Sequence, residues 1–323
     1  MSIYTQITDF IKKHALIERN KKVVIGLSGG PDSVFLLYFL ASLQKEHNLT
    51  LIAAHLNHEW RPEADQEQKD CATLAHTLNI PFVTAKRSEL AATIKYNGSQ
   101  EEYGRKLRRY FFEKVLQEYN ADAIALAHHA QDQEETFFIR LIRGASLTGL
   151  AAMKPQHGTY IRPLLETHKS DILAWLHENN VKYATDTTND SQDYLRNRIR
   201  MNVLPALRTC DDRFETNFIT TLKRLKETEQ FLEELTRTTF DSISNITANQ
   251  RYINIPQLLV LNETLRNRIL MHWLITENVS FPTTESFLDE ITRFLQNPNG
   301  GTHAAHQKWS LVKKQKVAYI KQI

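Results

Sequence analysis

Between Val23 and Ala127, short β-branched and apolar runs alternate with longer stretches whose apolar positions recur at helical spacing. The runs predict strands at 23–27, 51–55, 82–84 and 123–127, and the stretches predict helices at 33–46, 64–78 and 100–119. Such alternation is the pattern of a doubly wound parallel sheet covered on both faces, an α/β fold whose ligands sit at the carboxyl ends of the strands. Three of those ends carry polar chemistry: the loop from Ser28, the run His55-Leu56-Asn57-His58, and His128-His129. Ahead of the first strand, residues 1–20 place Ile7, Phe10 and Ile11 in an amphipathic pattern that also holds Asp9 and Glu18. Charges within the apolar pattern indicate a surface helix rather than a signal peptide.

After the fourth strand the pattern changes. Residues 186–191 are polar and turn-forming, and a basic segment follows over 194–207. The expected organisation is therefore an N-terminal helix (1–20), an α/β catalytic domain (21–207) and a smaller, mainly helical domain (208–323). In the last of these, a long amphipathic pattern spans 212–239, with further helices at 261–276 and 285–296. Asn297-Pro298-Asn299-Gly300-Gly301 breaks the pattern, and β-like runs at 308–312 and 317–320 predict a small basic hairpin. Tyr252, Trp273 and the apolar stripe over 258–274 have the spacing of core.

The chemistry begins in Val23-Val24-Ile25-Gly26-Leu27-Ser28-Gly29-Gly30-Pro31-Asp32-Ser33. A strand turning through glycines into a helix presents backbone N–H groups and the helix dipole to an anion. Pro31 suits the first helical position, where its missing N–H is no loss. Asp32 beside a phosphate is repulsive unless a cation lies between them, which marks it as a Mg²⁺ ligand. The loop lacks the lysine of a Walker A motif and the third glycine of a dinucleotide fingerprint. It resembles instead the Ser-Gly-Gly-x-Asp-Ser pyrophosphate loop of N-type ATP pyrophosphatases, with Ser28, Gly29, Gly30, Pro31, Asp32 and Ser33 as the ATP-binding residues.

A second stretch, His128-His129-Ala130-Gln131-Asp132-Gln133-Glu134-Glu135-Thr136, runs into Arg140-Leu141-Ile142-Arg143-Gly144 and Gly149-Leu150. A helix starting near Ala130 sets Asp132 and Glu135 on one face, with Arg140 and Arg143 in the following turns. The spacing is not that of a His-Glu-x-x-His zinc site. The stretch resembles the signature of the tRNA(Ile)-lysidine synthetases. So do His55-Leu56-Asn57-His58 with Arg61, and Asp186–Asn189 followed by Tyr194, Arg196, Asn197, Arg198, Arg200 and Leu204-Pro205. The similarity covers 23–207 and departs from the family at three places. Gln131 stands where an aspartate is usual, Glu59-Trp60 replaces a common Gly-Leu, and Gly104-Arg105-Lys106-Leu107-Arg108-Arg109-Tyr110 carries an extra arginine.

The resemblance implies an adenine nucleotide alpha-hydrolase-like fold and a two-step reaction. ATP, with Mg²⁺ on Asp32, adenylylates the C2 oxygen of the wobble cytidine of an isoleucine tRNA with a CAU anticodon, releasing pyrophosphate. The ε-amine of L-lysine then expels AMP and forms lysidine, so that the codon read changes from AUG to AUA. It implies Asp32, Arg108, His128, Asp132 and Glu135 as catalytic residues: Asp132 and Glu135 hold lysine or Mg²⁺, with His128 close by, and Arg108 stabilises negative charge on phosphate or base. The alternatives are a tRNA thiolase or amidase of the same superfamily and a catalytically silent tRNA-binding protein. Paired Cys-x-x-Cys motifs of cytidine thiolases are missing here, and a pure binder has no need of Asp32, Asp132 and Glu135.

A net charge of +3 over 323 residues makes no case for a nucleic-acid partner, so local clusters must. Arg196, Arg198, Arg200 and Arg208 form one, and Lys313 and Lys314, with Lys308, Lys316 and Lys321 around Trp309 and Tyr319, form another. Both are expected to meet tRNA, the cations on phosphates and the aromatics on bases. Two distant cysteines, Cys71 and Cys210, indicate a reducing cytoplasm rather than a disulfide framework. No apolar run is long enough for a membrane span. The apolar helix faces are as compatible with a homodimer as with a core.

Overall fold

The computed structural model describes residues 2–91, 96, 98–151, 153–184, 194–282, 284–306 and 308–323. The turn-forming stretch Asp186–Asn189 lies outside them. Two compact units divide within one long helix, Met1–Thr220 and Thr221–Ile323.

The first unit is built on a six-stranded sheet. Its elements are α1 (Ile3–Lys13), β1 (Lys22–Gly26), α2 (Pro31–His47), β2 (Thr50–Asn57), α3 (Ala64–Thr77), β3 (Phe82–Lys86) and α4 (Arg87–Leu90). There follow α5 (Gln100–Glu118), β4 (Ala123–Ala125), α6 (Ala130–Ile142), α7 (Leu147–Leu150), β5 (Gln156–His157), β6 (Tyr160–Ile161) and α8 (Lys169–Glu178). Strand order is β3-β2-β1-β4-β6-β5, parallel except for β5 against β6. Central β1 pairs Val24 with Ile52 of β2 and with Ile124 of β4. Alternation along β1 sends Val23 and Ile25 into a core with α1, α2 and α8, while Val24 enters a second core with Phe111, Phe112 and Val115 of α5. Because it is wedged in the first core, α2 is apolar on every side, with Phe35, Leu36, Leu37, Phe39 and Leu40 all fully buried. The four expected strands and three expected helices are in place, so the doubly wound reading holds; β5 and β6 are additions to it.

The basic segment folds as α9 (Leu195–Arg198), a π-helical turn π1 (Ile199–Val203) and α10 (Leu204–Cys210), and then α11 (Phe214–Ile243) begins. The second unit holds the end of α11, β7 (Ser244–Thr247), β8 (Gln250–Asn254), α12 (Ile255–Leu259), α13 (Glu263–Thr276), α14 (Glu285–Gln296), β9 (Gly301–His306), β10 (Trp309–Lys314) and β11 (Val317–Gln322). Trp273, Phe240, Ile269, Ile291, Leu295, Leu311 and Ile320 make its core. The expected terminal hairpin is β10–β11, and it is embedded in a five-stranded antiparallel sheet of order β7-β8-β11-β10-β9. The C-terminal portion is thus helical plus β rather than helical with an appended ribbon. No helix among the described residues is long and apolar enough to cross a membrane.

Candidate active site

The loop after β1 is braced by its own hydroxyls. Ser33 Oγ accepts from the Ser28 backbone N–H at 3.1 Å, lies 3.1 Å from Ser28 Oγ, and donates to the Gly30 carbonyl at 2.9 Å. Gly29 takes φ +85°, which a side chain resists, and a Cβ there would stand 3.2 Å from Cys71 Sγ. Gly30 caps α2 without any side-chain acceptor, and Pro31 occupies the first turn. The N–H groups of that turn therefore face outward from a long, buried helix, the arrangement that binds phosphate.

Asp32 is in the first turn of α2, and its carboxylate is already engaged. Lys169, at the start of α8, donates its ammonium to Asp32, and His129 Nε2 stands 3.6 Å away. Burial pushes the Asp32 carboxyl up, but His129 and Lys169 prevail and hold it below the usual carboxylate range. The same His129 nitrogen is 3.6 Å from Asp132, whose Oδ2 also accepts the His129 backbone N–H at 2.9 Å. Against burial, the two flanking carboxylates raise the His129 pKa. A charged row thus runs from the phosphate loop through His129 to α6.

Asp132 and Glu135 come together as expected from helical spacing, and an arginine bridges them. Arg196 donates to Asp132 Oδ1 at 2.6 Å and to Glu135 Oε2 at 2.5 Å, and Arg200 donates to Glu135 Oε1 at 2.5 Å. Glu134, also buried, accepts from Arg208 at 2.5 Å, and Arg208 donates to Glu215 at 2.5 Å as well. Burial, more than the Arg208 charge offsets, raises the Glu134 pKa. Burial pushes Asp132 up too, but His129 and Arg196 bring it below its ordinary value. Of the basic cluster, Arg196, Arg200 and Arg208 therefore face α6, and Arg198 is exposed. In the second unit Lys313 is buried and donates to the Leu295 carbonyl at 2.5 Å and to that of Asn297, while Lys314 is exposed.

His128 follows β4. Burial pushes its pKa down to about 4, opposed by the Asp132 charge and reinforced by those of Arg162, Arg196 and Arg105. At the end of β2, His55 Nδ1 lies 2.9 Å from the Leu27 carbonyl. His58 stacks on Trp60 at 4.4 Å, and burial followed by the Arg108 charge drives its pKa down to about 3. The Arg108 charge thus acts on His58, just past the end of β2. Gly104 explains part of the surrounding motif, because a Cβ there would meet the Trp60 ring at 2.3 Å. Gln131, the departure from the usual aspartate, accepts the Lys169 backbone N–H at 3.0 Å and so caps α8. Its carboxamide oxygen supplies the acceptor that a carboxylate would. Sequence reasoning missed His129 as the link between the two carboxylates and missed Lys169 altogether. The capping-box spacing of His129 to Asp132 was a local signal; Lys169 had none.

The PP-loop domain family matches residues 1–207. The chain belongs to that family. Its PP-loop fold is also that of the U34-tRNA thiolase of Methanococcus maripaludis, solved with a [4Fe-4S] cluster: the TM-score is 0.58 at 19% identity, over 69% of this chain and 78% of that one. Among curated proteins, a tRNA(Ile)-lysidine synthase of Bacillus subtilis is 33% identical over 91% of this chain and 64% of its own length. One of Clostridium perfringens is 36% identical over 71% of this chain and 50% of its own. The chain therefore spans about half to two thirds of the length of these relatives. The relatives carry the family name that the motifs suggested.

Proposed function

We propose that this PP-loop protein is a tRNA(Ile)-lysidine synthetase, using ATP to join lysine to C2 of the wobble cytidine of a CAU-anticodon isoleucine tRNA. The observation that carries the reading is the row Asp32–His129–Asp132–Glu135, which links a phosphate loop to a second pair of carboxylates. A phosphate loop alone needs no such pair. A cationic amino acid brought to an activated base does.

The loop suits ATP: Gly29 leaves a space that a Cβ would fill, and the α2 N-terminus and the Ser28 and Ser33 hydroxyls offer donors to a leaving pyrophosphate. Asp32 would hold Mg²⁺ as a hard oxygen ligand. When bound, the ion neutralises charge that develops as the α–β phosphate bond breaks. Lysine entry exchanges an ammonium for the guanidinium of Arg196 on Asp132 and Glu135. His128, kept neutral at pH 7 chiefly by burial, is available to accept a hydrogen bond from the incoming amine. Arg108 stabilises negative charge on the base side of the cleft. Arg198 and Lys314, both exposed, are the members of the two basic clusters best placed to meet RNA phosphates. Sulfur transfer is disfavoured by the chemistry of Cys71, buried behind the loop with its thiol pKa pushed up to about 12. Its free thiol and that of Cys210 fit a reducing cytoplasm.

The test is incubation with ATP, Mg²⁺, labelled lysine and the CAU transcript. Acid-stable label in tRNA is expected, absent without ATP and in Asp32→Ala. Pyrophosphate release without label sinks lysine as the nucleophile, and tight tRNA binding with no ATP turnover leaves a binder.

A further inference from the structure

Lys169 reaches the phosphate loop from an element that has no use for its charge. It opens α8, and a cation at the first helical position works against the helix dipole. Its ammonium lies instead against Asp32, in the first turn of α2. The Lys169 side chain is 29% exposed and that of Asp32 26%, so the pair is open to solvent, as is Ser28 of the loop.

The rest of the residue is held in place. Gln131 Oε1 accepts the Lys169 backbone N–H at 3.0 Å, the Ala130 N–H donates to the Thr167 carbonyl at 3.0 Å, and Gln133 Nε2 donates to the Leu165 carbonyl at 2.7 Å. Those bonds tie 165–169 to the first turn of α6. Farther along α8, Trp175 packs edge-on against Phe35 of α2, their ring centres 5.2 Å apart. Beyond the helix, the Ala184 N–H donates to the Gly29 carbonyl at 2.9 Å. The backbone of Lys169 is therefore fixed against the loop, while its flexible four-carbon stem lets the ammonium change partner.

We propose that Lys169 is a ligand of the leaving pyrophosphate: it rests on Asp32 until Mg²⁺ and ATP arrive, and then passes to a β- or γ-phosphate oxygen. This rests on the ATP reading above. Asp32 already has His129 Nε2 3.6 Å from Oδ2, and a dication on the same carboxylate repels the Lys169 ammonium. Asp132 and Glu135, deeper in the row, are engaged by Arg196 and Arg200. Phosphates seated on the α2 N-terminus are then the anions next to Asp32, and an ammonium on them offsets the charge that grows as the α–β bond breaks.

The experiment is calorimetry on the full chain with Mg²⁺, measuring the affinities of ATP, of pyrophosphate and of AMP, which lacks the β- and γ-phosphates. In Lys169→Met, ATP and pyrophosphate are expected to bind about 10- to 50-fold more weakly, the loss of one charge-assisted hydrogen bond. AMP should stay within about twofold of wild type, which also shows that the variant is folded. Lys169→Gln, polar and nearly as long, should lose the same affinity, because a carboxamide brings no charge; it carries the test should Lys169→Met fail to fold. Wild-type ATP affinity in either variant overturns the assignment and leaves the ATP reading standing. So do equal losses for ATP and AMP in a variant that still unfolds cooperatively, since a contact to the β- and γ-phosphates cannot weaken AMP. A wild-type chain that binds neither ATP nor pyrophosphate overturns both readings.

Discussion

Lys169 and Asp32, 137 residues apart, form an ion pair at the mouth of the phosphate loop. Burial is outweighed, with His129 as the larger influence and Lys169 beside it, and the pKa of Asp32 is depressed. Its contribution is present above the unfolded carboxylate pKa and is lost as pH falls through the lower folded value. Lys169→Met in Mg²⁺-free buffer is expected to lose roughly 0.5–1 kcal/mol at pH 7, since the pair is partly solvent-screened. The difference from wild type should shrink as the pH is lowered through the depressed Asp32 pKa. Urea unfolding along an acid pH series checks this, and a deficit that stays constant throughout would dissociate the pair from stability.

His129 gives the opposite sign. Its pKa is raised by Asp32 and Asp132, so its contribution is complete below the unfolded histidine pKa of about 6.5 and declines as pH rises through the higher folded value. Asp32→Asn leaves burial less opposed and should move the imidazole midpoint downward. Ring-proton NMR in the presence of EDTA reads that midpoint directly; identical midpoints in the two proteins would refute the coupling.

The sequence carried the local parts of this architecture and not the distant ones. The phosphate loop was readable because six consecutive residues contain it, and β1–β4 because buried parallel strands are apolar runs. β5 and β6 are two residues each, too short to show a period. β7 is Ser-Asn-Ile-Thr and mostly exposed, and its turn to β8 uses Ala248 and Asn249 at φ 49° and 61° rather than the Asn-Gly that signals a hairpin. At the site, helical spacing brought Asp132 and Glu135 onto one face. It could not show that Arg196 and Arg200 reach them across 61 to 65 residues. The sequence assigns Arg196, Arg200 and Arg208 to tRNA phosphates, because nothing local reveals the acids opposite them.

Those pairings set different costs for neighbouring arginines. The Glu134 side chain is only 2% exposed, and Arg208 is its ion-pair partner. Arg208→Ala leaves that carboxylate buried and uncompensated, which costs about 3–5 kcal/mol. Burial already raises the Glu134 pKa, so the deficit should shrink as pH falls and the carboxyl protonates. Arg198→Ala, at an exposed position, should stay within about 0.5 kcal/mol of wild type while weakening tRNA binding. Denaturation and filter binding on both variants separate the roles. Equal stability losses would mean that the α6 pairings do not form in solution.

Adjacent lysines in β10 divide in the same way. Lys313 is 6% exposed, and its ammonium satisfies carbonyls at the end of α14, where a cation also complements the helix dipole. Lys313→Met removes the donor and leaves those carbonyls buried, at a cost of about 1–3 kcal/mol. Lys314 is exposed, 5.7 Å from the centre of the Tyr319 ring, where a cation–π contact contributes about 0.5–1 kcal/mol. Lys314→Met should therefore cost little stability and reduce tRNA affinity, with a shallower salt slope. Lys313→Met should lower the denaturation midpoint and leave the salt slope unchanged, because an ammonium folded into a helix end displaces no counterions from RNA. A shallower slope in Lys313→Met would show that its ammonium reaches the RNA after all.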